Sequence, residues 1–150
     1  MRNINFKIII KYVPLVLIIL FIWIHSMIPG EESSEESGFI WEIIAPFLEI
    51  FIGKGKATHH LVRKLAHFSE FFALGTVSTL TFKGKNRYTK SLVLGIIVAS
   101  IDETIQLFVP GRAGMIKDVL IDSSGCICAV ILFAIIRLIF LKRKDNFEDQ

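Results

Sequence analysis

Asp102 and Glu103 stand side by side near the end of an otherwise apolar stretch, residues 91–109, with Gln106 one helical turn further on. A charged side chain at the middle of a membrane helix costs roughly 2.5 to 3.5 kcal/mol, so acids in such a stretch face a bundle interior and serve a purpose. Two other apolar segments are equipped in the same way. Glu70 follows His67 by three residues, and Asp122 follows Asp118 by four. Helical spacing puts each pair on a common face, and Arg63 shares the face of His67 and Glu70. Between the last two segments a short loop supplies Arg112, flanked by Gly111 and Gly114.

Two chemistries suit these residues. In the first, His67, Glu70, Asp102, Glu103, Asp118 and Asp122 supply ligands to a divalent cation, following the logic of histidine and carboxylate sites inside helix bundles. No compact signature such as His-Glu-x-x-His supports it. The competing arrangement is a lattice of ion pairs in which Arg63, Lys64, Arg112 and Lys117 neutralise Glu70, Asp102, Glu103 and Asp118 without metal. In the second chemistry, His67 exchanges protons near neutrality and Arg112 grips a phosphate or carboxylate with its planar fork. Arg112 serves equally as counter-ion to Asp102 or Glu103, and Asp118 as an N-cap. No Ser-His-Asp or Cys-His grouping emerges to support covalent catalysis.

The elements that must position these residues are long and apolar. Hydrophobic residues make up 53% of the 150-residue chain, with 13 Phe, and the mean hydropathy is +0.59. That composition indicates an integral membrane protein. Four apolar runs, residues 8–28, 65–82, 91–109 and 119–141, each approach the roughly 20 residues that cross a bilayer as a helix. The reading is a single all-α domain, residues 1–150: an integral membrane four-helix bundle. The first run lacks a small-residue cleavage site and reads as a retained helix rather than a secretory signal.

Basic residues cluster at Arg2, Lys7 and Lys11, at Lys83, Lys85, Arg87 and Lys90, and at Lys142, Arg143 and Lys144. The positive-inside rule then places both termini in the cytoplasm and accounts for the net charge of +3 without invoking nucleic acid. On this topology every unusual polar residue falls near the outer leaflet and forms one pocket there. Glu31, Glu32, Glu35 and Glu36 open a segment expected to be mobile and solvated. Residues 39–52, too short to span and interrupted by Pro46, suit a short interfacial helix between helices one and two. Thr58 is the expected N-cap of the second span. His25 has no polar neighbour on its own helix face and reads as merely interfacial. Gly125 and Ala129, four apart, allow a close helix contact within or between chains, so the oligomeric state stays open. Cys126 and Cys128 point to different sides of their helix and cannot bridge each other.

The segments Lys64-Leu-Ala-His67-Phe-Ser-Glu70, Asp102-Glu103-Thr-Ile-Gln106-Leu-Phe-Val-Pro110-Gly111-Arg112 and Asp118-Val-Leu-Ile-Asp122-Ser-Ser-Gly125 occur in this order. They closely resemble the VanZ-like family of small bacterial membrane proteins, over residues 64–133. The family often has Asn where this chain has Asp122. The resemblance implies a multi-pass protein of the bacterial cytoplasmic membrane, associated with low-level resistance to the glycopeptide antibiotic teicoplanin. Its partners would be the bilayer and a lipid-linked envelope precursor or lipoglycopeptide. A membrane hydrolase or transferase acting on a lipid-linked phosphate or peptide is the second reading. An ion or proton carrier ranks third, because below Glu70 and Asp102 only Ser78, Thr79 and Ser100 continue a polar path.

Overall fold

Long apolar runs fold as helices, because a helix satisfies its own backbone hydrogen bonds in an apolar surround, and α1 continues through Pro14. The computed structural model describes residues 6–148, with side chains described over residues 10–140 apart from 34, 36 and 37. Five helices and no strand occur among the described residues: α1 (Phe6–Ser26), α2 (Gly30–Ile52), α3 (His59–Thr81), α4 (Arg87–Gln106) and α5 (Ile116–Glu148). Arg2 lies outside the described residues, as do the side chains of Lys7, Lys142, Arg143 and Lys144.

The breaks follow local chemistry. Thr58 caps α3, its hydroxyl accepting from the Leu61 N–H at 3.2 Å. Gly53 ends α2 at φ +95, and Pro110 with Gly111, at φ +73, follows the end of α4.

Helix α3 is central and packs against all four other helices. Its closest partner is α5, and small residues explain the approach. A Cβ at Gly125 would lie 2.3 Å from the Phe68 carbonyl oxygen, and one at Gly75 would lie 2.8 Å from that of Cys126 and 2.9 Å from the Ala129 methyl. The Gly125–Ala129 pair therefore serves packing within the chain. Leu15, Ile22, Phe71, Leu74, Val98 and Ala99 fill the centre where α1, α3 and α4 meet.

The segment between the first two expected spans differs from expectation. Residues 31–38, expected to be mobile and solvated, belong to the 23-residue α2, which continues through Pro46, with Glu31, Glu32 and Glu35 exposed. Glu31 and Glu32 occupy its first turn, where the positive end of the helix dipole favours acids. The Ser33 N–H donates to Pro29 O at 2.9 Å. Helix α5 starts at Ile116, so Asp118 is a first-turn residue and not the cap.

The stretch Ile116–Phe140 is long and apolar enough to cross a membrane, with a mean hydropathy of 2.5. Ile10–Ser26 and Gly30–Ile52 meet the same measure only as a pair, bent by 108°.

Candidate functional site

The end of α1, the start of α3, the end of α4 and the start of α5 come together at one end of the bundle. Asp102, in the last turns of α4, is completely buried, and its carboxylate is held at both oxygens. The Ser26 hydroxyl donates to Oδ1 at 2.6 Å, and the Gln106 amide donates to Oδ2 at 3.0 Å. The same amide reaches Ser26 Oγ at 3.3 Å, so α1 and α4 are joined through a closed polar triangle. Gln106 can do this because it lies one turn beyond Asp102 on the same face.

Asp122, from the second turn of α5, is 1% exposed. Its Oδ2 has no hydrogen-bond partner among the described residues, nor has Nδ1 of His67. That nitrogen lies between the two buried aspartates, 4.0 Å from Asp102 Oδ2 and 3.8 Å from Asp122 Oδ1. Both separations exceed a hydrogen bond.

The other expected site residues have different partners. Glu70 Oε1 lies 2.7 Å from Nδ1 of His25, and the His25 ring stacks at 6.1 Å on that of His67. His25 is therefore not merely interfacial; its polar neighbours come from α3, which no inspection of its own helix would reveal. Glu103 is buried and accepts from the Met115 N–H at 2.8 Å, bracing the α4–α5 loop. Asp118 pairs with Lys64.

Arg112 donates from Nε to Ile28 O at 2.9 Å and from a terminal nitrogen to His25 O at 3.3 Å. Its hydrogen bonds thus go to carbonyls at the end of α1 rather than to Asp102 or Glu103, and they serve backbone groups that a helix terminus leaves open. Burial, with Arg63 nearby, draws its guanidinium below the ordinary value. Beside it, Gly30 N–H donates to Pro110 O at 3.0 Å. A Cβ at Gly30 would lie 2.1 Å from Gly111 O, so the α1–α2 junction and the α4–α5 loop meet backbone to backbone.

A cavity of about 210 Å³ opens above this cluster. Arg63, Lys64 and Arg112 contribute its cationic lining, and His60, His67, Glu103, Gln106, Asp118 and Asp122 its remaining polar lining. Asp102 lies behind this wall, and Glu70 faces α1. The six potential ligands divide accordingly: His67, Asp102 and Asp122 bring ligand atoms within 4.8 Å of one another, while Glu70, Glu103 and Asp118 are engaged elsewhere. Sequence reasoning missed Ser26 as well as His25. The available signal was their position at the end of the first apolar run, level with Glu70 and Asp102.

These features define a class: an all-helical bundle with a histidine between two buried carboxylates at one end, beneath a cavity lined by both basic and acidic side chains. Residues 11–137 match the VanZ/LLP1 family, and the chain belongs to it. No curated protein and no solved structure matches the chain.

Proposed function

We propose that the protein is a multi-pass membrane protein of the bacterial envelope whose cavity binds the anionic headgroup of an outer-leaflet component, and that occupancy lowers susceptibility to teicoplanin-type lipoglycopeptides. The observation that carries this reading is a cavity of about 210 Å³ lined by Arg63 together with Lys64, which also pairs with Asp118, and Arg112, which also bonds the carbonyls of His25 and Ile28. That volume suits a phosphate, a pyrophosphate or a peptide carboxylate and is too small for an intact glycopeptide. Arginine and lysine bind such groups through charge-assisted hydrogen bonds.

The membrane part of the proposal, four spans with both termini inside, rests on surface chemistry. Val16, Leu17, Leu20, Phe21 and Ile24 of α1, Ile96, Ile97 and Ile101 of α4, and Ile131, Ile135, Leu138 and Ile139 of α5 are all exposed. A surface so continuously apolar is matched by lipid and not by water. The α3–α4 loop with Lys83 and Lys85 and the first turn of α4 with Arg87 and Lys90 lie at the end of the bundle opposite the cavity, which the positive-inside rule assigns to the cytoplasm. On α2, Phe39, Ile43, Phe47 and Ile50 form an exposed apolar stripe, as an interfacial helix requires.

A carrier function finds less support. Below the cluster the bundle is closed by Ile22, Phe71, Leu74, Val98 and Ala99, and the next buried polar pair, Thr79 with Ser91 at 3.3 Å, lies beyond them. An enzymatic role is favoured by one feature, the His67 imidazole facing the cavity between two carboxylates, which is suited to proton transfer on a bound headgroup.

The test is the teicoplanin and vancomycin susceptibility of a sensitive Gram-positive host expressing wild type, Arg63→Ala or Asp122→Ala at matched membrane levels. Protection selective for teicoplanin and lost in both variants is expected. Absence of protection by wild type would remove resistance as the function.

A further inference from the structure

We propose that His67 Nδ1, Asp102 Oδ2 and Asp122 Oδ1 form a binding site for a divalent metal ion of the zinc or manganese type, with a further coordination position open to the cavity. Three observations converge on it. First, the three ligand atoms come from three helices and lie within 4.8 Å of one another. Second, the imidazole nitrogen faces both carboxylates at 3.8 and 4.0 Å, too far to share a hydrogen bond with either. Two ligands at about 2.1 Å from a tetrahedral ion stand roughly 3.4 Å apart, so each carboxylate closes on His67 by about half an ångström, and the two carboxylates, within 4.8 Å of each other, close by at most about 1.4 Å. Third, Asp122 is 1% exposed and its Oδ2 lacks any partner among the described residues. A buried carboxylate in that condition is costly while ionised, and a cation bound through Oδ1 or Oδ2 would offset that cost.

The surroundings fit a metal centre. Ser26 and Gln106 donate to the two oxygens of Asp102, the outer contacts that orient a ligating carboxylate. One imidazole and two carboxylates leave a fourth position, as catalytic zinc sites do. The cavity above leads to it, because His67 and Asp122 form part of its lining. An anionic headgroup held by Arg63 and Lys64 would reach the ion from that side. The ion occupies the floor of the cavity whichever headgroup enters above it. Zn²⁺ binding without headgroup binding would therefore preserve the metal site and remove only the function proposed above.

The experiment is a Zn²⁺ titration of the purified full-length protein in detergent, with bound metal counted by elemental mass spectrometry. One equivalent is expected. Affinity should fall by about tenfold or more in His67→Asn, in Asp122→Asn and in the outer variant Gln106→Ala, with helix content by circular dichroism unchanged. It should persist in Glu70→Gln and in His59→Ala. No saturable binding by wild type, or binding that survives in both folded His67→Asn and Asp122→Asn, overturns the site. If either variant fails to fold, Co²⁺ bound to wild type decides. Absorption bands of a nitrogen- and oxygen-ligated ion support the site, whereas thiolate charge-transfer bands from Cys126 or Cys128, or no spectrum, refute it.

Discussion

At the residue scale, hydrogen bonds that cross between helices hold the polar end of the bundle. Ser26 Oγ donates to Asp102 while accepting from Gln106, and all three residues are buried. Ser26→Ala leaves a buried carboxylate short of a donor, so it should lower stability by about 1 to 3 kcal/mol, read by thermal unfolding in detergent. An unchanged melting temperature would show that the triangle holds nothing. Arg112 depends on shape as much as on charge, because two of its nitrogens bond carbonyls of different residues. Arg112→Lys keeps the charge and loses the fork, so it should destabilise nearly as much as Arg112→Ala. Full rescue by lysine would mean that charge alone matters.

At the element scale, glycines set how close the helices come. Gly125→Ala brings a methyl to 2.3 Å from a backbone oxygen of α3, and neither helix can yield locally. A loss of about 1 to 3 kcal/mol is expected. Gly38→Ala is the comparison: its Cβ meets only the His59 ring at 3.7 Å, and a helical alanine outperforms glycine. Equal melting temperatures for the two variants would contradict the tight α3–α5 seam.

The same scale explains what could be read from the chain. Thr58 as a cap and the common face of Asp102 and Gln106 were legible because capping and helical period are local properties. The partners of Asp102 and Glu70 were not, since Ser26 and His25 lie 76 and 45 residues away in sequence and only tertiary packing brings them near. The acids of residues 31–38 are exposed where described, as expected, while their helical conformation was not legible, because a helix start whose dipole favours acids looks in sequence like a solvated acidic run.

At the scale of the whole molecule, the proposed orientation rests on the apolar surfaces of α1, α4 and α5 and on the basic end opposite the cavity. In intact cells, cysteine introduced at Lys54 should react with a membrane-impermeant thiol reagent, and cysteine at Lys85 should not. Equal labelling would overturn the topology. In the proposed topology the cavity faces the outer leaflet, with Arg63 and Lys64 toward the headgroups and α2 lying beside it. The most direct test of that arrangement is the binding of a labelled polyprenyl pyrophosphate to the protein in lipid nanodiscs, comparing wild type, Arg63→Ala and Lys54→Ala. Saturable binding of one molecule per chain, lost in Arg63→Ala and retained in Lys54→Ala, is the predicted result. Binding that is absent from wild type, or equal in all three proteins, would contradict a headgroup site in the cavity.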